Sequence, residues 1–216
     1  MRRGLLHTCP IGVRTRIYGW TVIRALAAAA FAIATAVAAP AMAPAETPAS
    51  AYDFEFQSID GQPMRLDQWR GKALLVVNTA SFCGYTRQYA GLQKLWKAYE
   101  AKGLVIIGVP SNDFGDQEPQ AEGDIKKFCE GVYSVTFPMT AKQKVTGPDA
   151  HPFYRWAASA IGSDGEPTWN FHKYLIGRDG RMVRAFTSKQ TPTSDDVLAW
   201  VELALAQPPS ANAVQN

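Results

Sequence analysis

Cys83 stands between an apolar run and a helical pattern, within NTASFCGYTRQYAGL at positions 78–92. The amino-terminal end of a helix favours anions, so a cysteine there is favoured as its nucleophilic thiolate. A dithiol oxidoreductase would carry a second cysteine at position 86, where this chain has Thr86. A single reactive thiolate suits a substrate that oxidises it directly to a sulfenic acid. The alternative, an inert cysteine packed as a small hydrophobic residue, is disfavoured by the small and polar residues around it.

Oxidation of a thiolate by a peroxide needs hydrogen-bond donors for the thiolate and for the oxygen that leaves. An indole N–H or a carboxamide NH₂ supplies this without adding a competing base. Trp169 and Asn170 offer both kinds side by side, and Gln117 offers a second carboxamide from a polar loop at 111–121. On its own, a tryptophan here is more typical of core packing, so these candidates depend on a fold that assembles them.

The elements that must position these residues follow from hydrophobic periodicity. The pattern predicts a buried strand at 73–79, a helix at 84–101 and a second buried strand at 104–109. Strand, helix and strand in this order form a right-handed βαβ unit with parallel strands. Such a unit places Cys83 at the junction of the first strand and the helix.

The later part of the chain reads as strand, strand and helix. Strands at 169–176 and 182–187 flank the turn GRDG, and Ser194 is the expected cap of a helix at 195–206. An amino-terminal hairpin precedes the βαβ unit, and a helix-containing insertion separates the two halves. The sequence therefore predicts an α/β thioredoxin-like fold, with βαβ plus ββα around a central mixed sheet.

The first 45 residues have the composition of a secretory signal. They contain five arginines and no acidic residue, an alanine-rich apolar run at 25–39, and Ala43-Pro44-Ala45 as an A-x-A cleavage site. We expect cleavage after Ala45 and a periplasmic bacterial protein; the alternative is an uncleaved membrane anchor at 25–43. The predicted organisation is a signal peptide at 1–45, a linker at 46–51, one globular domain at 52–206 and a disordered tail at 207–216.

Charge and cysteine content narrow the function classes. The net charge of +3 belongs to the leader, because the rest of the chain carries 17 basic and 19 acidic residues, so no nucleic-acid partner is expected. Cys9 leaves with the leader, and the mature domain keeps only Cys83 and Cys129. In an exported protein these two could form a plain structural disulfide. The sequence contains no metal-binding, phosphate-loop or nucleophile-elbow pattern, so neither a metal nor a cofactor is expected.

Several segments, in the right order, resemble the glutathione peroxidase family. The similar stretches are VNTASFCGYTRQYAGLQKLWKAYEAKGLVIIGVPSNDFGDQEP, KKFCEGVYSVTFPM, GPDAHPFYRW and TWNFHKYLIGRDGRMV, which together cover about 52–206. The resemblance implies a peroxidatic Cys83, with Gln117, Trp169 and Asn170 completing a catalytic tetrad. The chain departs from the family pattern at Asp113, which places a carboxylate near the site, and at Ser111 and Gln120.

The resemblance also implies a reaction cycle and partners. Cys129 matches the resolving cysteine of cysteine-type members, which resemble thioredoxin-dependent peroxidases more than glutathione-dependent ones. A short link at 157–168 implies a monomer whose open site would accept hydrogen peroxide and lipid hydroperoxides.

Two other functions use some of the same residues. A redox sensor or relay would pass the oxidation of Cys83 to a partner protein, and the sequence does not separate this from an enzyme. A copper carrier would need a second cysteine close to Cys83, which the chain lacks.

Overall fold

The computed structural model describes residues 50–162 and 165–208. The predicted signal peptide, most of the linker and most of the tail lie outside these residues. Among the described residues, none of the helices has the length and hydrophobicity of a bilayer-spanning segment. The helices and strands are β1 Glu55–Gln57, β2 Pro63–Arg65, β3 Ala73–Thr79, α1 Gln88–Tyr99, β4 Leu104–Pro110, α2 Glu122–Tyr133, α3 Pro152–Ile161, β5 Lys173–Ile176, β6 Met182–Phe186 and α4 Asp195–Ala206.

The central sheet has the strand order β4-β3-β5-β6. β3 and β4 are parallel, with Ala73 opposite Leu104, whereas β5 is antiparallel to both β3 and β6. Isolated bridges at Met139 and Thr140 continue the pairing beyond β4. This mixed sheet, with βαβ followed by ββα, confirms the predicted thioredoxin-like fold.

Both faces of the sheet are covered, which is why β4 and the first five residues of β3 are apolar, with the polar Asn78 and Thr79 at the end of β3. Side chains alternate along β3: Leu75 and Val77 face one hydrophobic cluster, and Leu74 and Val76 face the other. The first cluster lies under α1, α2 and α4 and includes Cys83. The second lies under α3 and the β1–β2 hairpin. Cys83 thus belongs to the face that carries α1 and α2.

The amino-terminal boundary of the domain differs slightly from the predicted one. Ala51 is buried and begins a short 3-10 helix at Ala51–Asp53, and the Ser50 hydroxyl caps this helix. The Tyr52 hydroxyl donates to the Lys72 carbonyl at 2.8 Å. These contacts place residues 50 and 51 in the folded domain, although their composition resembles that of the linker.

The structure corrects two predicted element starts and one predicted helix cap. α1 begins at Gln88 and not at Gly84, because Thr86 bonds to neighbouring backbone groups and competes with a helical ladder. β5 begins at Lys173, so Trp169 lies in a turn before the strand. Ser194 precedes α4 but does not cap it, because its hydroxyl donates to the Thr191 carbonyl at 2.9 Å.

Candidate active site

Cys83 lies in the turn between β3 and α1. The backbone N–H of Tyr85 donates to Cys83 Sγ at 3.4 Å. Since α1 begins five residues after Cys83 and a helix dipole acts within its first turn, this local amide is the backbone donor at the sulfur. The side chain keeps 8% of its surface exposed, which is less than its polar surroundings in the sequence suggested.

Thr86 occupies the position of the absent second cysteine and holds the turn together. Its Oγ1 accepts the N–H of Cys83 at 2.9 Å. The same hydroxyl lies 2.7 Å from the Cys83 carbonyl oxygen and 2.9 Å from that of Ala80, and it donates to one of them at a time. Buried hydrogen bonds of this kind give the cysteine a single backbone geometry. Thr86 therefore stabilises the turn at the position where a dithiol protein would have a second thiol.

The loop after β4 brings Gln117 to this turn. The backbone N–H of Phe82, next to Cys83, donates to the Gln117 carbonyl at 3.0 Å. The loop is folded by Asn112, whose Oδ1 accepts the N–H of Glu118 at 2.7 Å and whose Nδ2 donates to Asp116 at 2.9 Å. Gln117 is thus tied to the cysteine turn through backbone atoms, although 34 positions separate the two residues.

Asn170 and Gln117 meet directly. Asn170 Nδ2 donates to Gln117 Oε1 at 3.1 Å, and Asn170 is fully buried. Because the Gln117 oxygen is engaged, its NH₂ group is the end left for another partner. The ring of Trp169 packs against Phe114 at 5.8 Å and is 39% exposed. The structure therefore assembles the two carboxamides and holds the indole at the surface beside them.

A cavity of about 430 Å³ opens beside the cysteine turn. Tyr85 links the two, because its amide contacts Cys83 Sγ and its residue lines the cavity. The lining residues are Tyr85, Thr168, Trp169, Thr187, Ser188 and Lys189. Aromatic side chains with one lysine at the edge suit a partly apolar ligand. Close by, Phe82 exposes 59% of its surface.

Glu118 is a buried carboxyl that the sequence reading did not single out. It is fully buried and accepts the Ser81 hydroxyl at 3.0 Å. Burial raises its pKa from the ordinary 4.5 to about 7, against the lowering effect of the Ser81 hydrogen bonds. Its position beside Gln117 in the QEP segment was the available signal. The other carboxylate, Asp113, instead accepts the N–H groups of Val145 and Thr146.

Cys129 lies on α2 and is completely buried. Burial raises the pKa of its thiol to about 11, although a hydrogen bond with the Tyr89 hydroxyl lowers it. Cys83 and Cys129 are both free thiols that belong to the same hydrophobic cluster, and Cys129 does not line the cavity. A thiol in this state is protonated and shielded from solvent.

The histidines of the described domain have structural contacts. His151 precedes α3, stacks on Phe56 at 4.1 Å and accepts the N–H of Phe153 at 3.3 Å. His172 is buried, which lowers its pKa to about 4 and keeps it neutral. Within residues 50–162 and 165–208, no group of three or more possible metal ligands comes together.

The comparisons with known proteins agree with this geometry. A family profile described as glutathione peroxidase matches residues 51–158. The chain is 41% identical over 162 residues to the "Hydroperoxy fatty acid reductase gpx1" of Synechocystis, which covers 71% of this chain and 95% of that protein. It is 42% identical over 151 residues to the "Glutathione peroxidase-like peroxiredoxin 2" of Saccharomyces cerevisiae, with 68% and 93% covered.

Solved structures give the same result. The crystal structure of "Trgpx in apo form" matches with a TM-score of 0.60 and 35% identity, covering 74% of this chain and 97% of that one. A thiol:disulfide interchange protein from Chlorobium tepidum matches with a TM-score of 0.55 at 20% identity, which shows the fold alone.

Fold and site together define a thioredoxin-fold oxidoreductase with a single cysteine at the end of its first core strand. With the profile match and the 41% identity to a curated relative, the chain belongs to the glutathione peroxidase family. It is a glutathione peroxidase-like peroxide oxidoreductase.

Proposed function

We propose that Cys83 reduces hydroperoxides through a sulfenic acid intermediate. One observation carries the proposal: the Cys83 sulfur accepts a backbone N–H at 3.4 Å in a turn that borders both the Gln117–Asn170 pair and an open cavity. This amide directs a hydrogen-bond donor at the atom that would act as the nucleophile. The cavity is lined by Tyr85, whose amide contacts the sulfur, and not by Cys83 itself, so a peroxide in the cavity would reach the sulfur past Tyr85.

The first step is a two-electron exchange between sulfur and peroxide. The Cys83 thiolate attacks the terminal oxygen of the O–O bond, an S–O bond forms, and the O–O bond breaks. The sulfur is oxidised to a sulfenic acid, and the leaving oxygen takes up a proton and departs as water or an alcohol. We propose that Gln117, Trp169 and Asn170 donate hydrogen bonds that stabilise the negative charge on this oxygen. Electrostatic stabilisation of this kind is usually the largest single contribution to catalysis.

The second step uses Cys129 as the resolving cysteine. The Cys129 sulfur attacks the sulfenic sulfur of Cys83, an S–S bond forms, and hydroxide leaves with the thiol proton as water. Because Cys129 is fully buried on α2, this step requires local unfolding of that helix. A reduced thioredoxin-like protein then cleaves the disulfide, with glutathione as the other candidate reductant.

The surroundings of the cavity support a broad range of hydroperoxides. Trp169 and Phe82 expose apolar surface next to the cysteine turn, which suits the chain of a lipid hydroperoxide as well as hydrogen peroxide. The similarity to a hydroperoxy fatty acid reductase supports the same substrate class. We propose that the protein acts as a monomer, because the chain has only a short link at 157–168 where tetrameric members carry a longer assembly insertion.

We also propose that the protein is exported and acts in the periplasm, because its first 45 residues have the arginines, apolar run and A-x-A site of a secretory signal. A mature protein that begins at Glu46 in the periplasmic fraction of an expressing bacterium would support cleavage after Ala45. A full-length protein in the membrane fraction would contradict it.

The central experiment follows peroxide consumption by the reduced protein. We expect Cys83→Ser to lower the rate to the background of peroxide with reductant alone, since serine is a far poorer nucleophile. Cys129→Ser is the matched control, because it removes the other thiol of the domain and should leave the first turnover intact. Equal peroxide consumption by wild type and Cys83→Ser would contradict the proposed role of Cys83. A mixed disulfide trapped with one partner protein, without sustained turnover, would instead favour the redox relay.

A further inference from the structure

The turn that carries Trp169 and Asn170 is held by its backbone carbonyls. Three successive carbonyl oxygens each accept a hydrogen bond from a different buried side chain. The Trp169 carbonyl accepts from Asn78 Nδ2 at 3.1 Å, that of Asn170 from the Ser188 hydroxyl at 2.6 Å, and that of Phe171 from Lys173 Nζ at 2.7 Å. We call residues 169–171 the site turn.

The site turn needs this support because its backbone is strained. Phe171 has a φ of 65°, in the left-handed region that costs a residue with a side chain about 1 kcal/mol or more. Its ring is fully buried and packs edge-on against Tyr89 at 5.3 Å, and its N–H donates to the Asn78 carbonyl at 2.6 Å. A strained conformation persists only where its surroundings over-determine it. The hydrogen bonds to the three carbonyls hold the site turn in this strained conformation.

Of these donors, Lys173 is the one whose burial costs the most free energy. It is fully buried, and burial alone lowers its pKa from 10.5 to about 7. Its neighbours across the sheet, Val77 and Phe186, are apolar, and the ion pairs of the described residues do not include it. A buried ammonium without a carboxylate partner is an unfavourable core residue. Its one recorded contact is the Phe171 carbonyl, so its contribution is to the site turn.

Ser188 connects the same turn to α1. Its hydroxyl donates to the Asn170 carbonyl, and its own carbonyl accepts Gln88 Nε2 at 2.6 Å. Gln88 is the first residue of α1, directly after the cysteine turn. This chain of hydrogen bonds joins the backbone of Asn170 to the element that follows Cys83.

We propose that Lys173 and Ser188 are positioning residues for peroxide reduction, which fix the site turn so that Trp169 and Asn170 face the peroxide at Cys83. The proposal rests on the proposed function of Cys83. Lys173 does not line the cavity, and Ser188 lines it but directs its hydroxyl proton to the Asn170 carbonyl. They act through the carbonyls of Phe171 and Asn170, and a displacement of about 1 Å at a catalytic group can lower a rate about a hundredfold.

The test compares two reactions of Cys83 in Lys173→Met, which keeps the length and removes the donor. We expect the second-order rate constant with hydrogen peroxide to fall about 10- to 100-fold. Alkylation of Cys83 by iodoacetamide expels no peroxide oxygen and so does not need the donors of the site turn, and its rate should stay within about threefold of wild type. Lys94→Met, an exposed lysine on α1, is the matched control and should leave both rates unchanged.

Rescue and the opposite outcome complete the test. Lys173→Arg retains a donor and should recover most of the peroxide rate. Should Lys173→Met fail to fold, Ser188→Ala decides the question, because it removes one buried oxygen and should lower the peroxide rate several-fold with alkylation unchanged. Folded Lys173→Met or Ser188→Ala protein with a wild-type peroxide rate would overturn the proposal. An inactive wild type would overturn the proposed function instead, so the two failures are distinct.

Discussion

The turn that carries Cys83 and the helix that carries Cys129 are built in different ways. Around Cys83, the Thr86 hydroxyl and the Tyr85 amide hold the cysteine, and buried side chains hold the carbonyls of the site turn. The polar groups are local, numerous and shielded from water, which makes their geometry rigid. A step that depends on fixed donors needs such a site.

The helix around Cys129 is held by a narrow apolar face, to which the partly buried Phe128 and Tyr133 also contribute. Ile125 and Cys129 are its two fully buried residues, and the Cβ positions of Gly123 and Gly131 face open space. Each glycine lowers the stability of a helix by roughly 0.5–1 kcal/mol relative to alanine. An exposed ion pair from Lys126 to Asp60 at 2.7 Å adds little, because such pairs contribute about 0–1 kcal/mol.

The two regions therefore suit different steps of the proposed cycle. Attack on the peroxide needs donors that do not move, whereas resolution needs a buried thiol of pKa about 11 to reach another residue. The same domain therefore combines an over-determined turn with a helix of low local stability. The following predictions test whether the two regions separate in this way.

The largest effect is expected for Cys129→Ser. The first turnover with hydrogen peroxide should be unchanged within about twofold, while turnover supported by a thioredoxin system should fall about a hundredfold or more, because no resolving thiol remains. Stopped-flow oxidation and steady-state consumption measure the two rates, and mass spectrometry should find a persistent sulfenic acid. Full thioredoxin-supported turnover in this variant would show that Cys129 does not resolve.

The next effect concerns Glu118, in the Cys83 region. Its folded pKa of about 7 lies above the ordinary 4.5, so the folded protein binds a proton that the unfolded chain releases, and stability falls as the pH rises from 4.5 through 7. Above pH 8 this cost is about 3 kcal/mol. Glu118→Gln resembles the protonated form and retains an acceptor for Ser81, so we expect it to be more stable than wild type by about this amount at pH 8.

Urea denaturation at pH 5 and pH 8 measures this difference. At pH 5 the variant and wild type should have nearly equal free energies of unfolding, because the buried carboxyl is protonated there. Glu130→Gln removes a mostly exposed carboxylate and should show no such pH dependence. An identical stability difference at both pH values would contradict the assignment of a buried, charged Glu118.

The smallest effect is expected for Gly131→Ala, which tests directly whether the low stability of α2 matters for the resolving step. Stabilising α2 by about 0.5–1 kcal/mol should slow closure of the Cys83–Cys129 disulfide about 2- to 5-fold without changing the first step. Gly91→Ala is the matched control: it stabilises α1, where the new methyl group would make ordinary contact with Pro192 at 3.5 Å. Equal closure rates in wild type and Gly131→Ala would argue against unwinding of α2 as the limiting motion.

The sequence by itself determined the fold class and the place of Cys83. Apolar runs without interruption identified β3 and β4 because both faces of these strands are covered. The helical period identified α1, and the order of elements then implied the parallel βαβ unit. These features are local or follow from chain order, so they are visible without coordinates.

Tertiary structure decided which side chains meet. Asn170 and Gln117 are 53 positions apart, and the register of β5 against β3 and the fold of the loop after β4 bring them within 3.1 Å. The roles of Thr86 and Lys173 could not be predicted from the sequence either, because a single hydroxyl or ammonium group has no periodic pattern. The structural contribution of each side chain depends on which backbone group it reaches in the fold. Composition and period predict the elements, but hydrogen bonds between distant residues exist only once packing has fixed their distances.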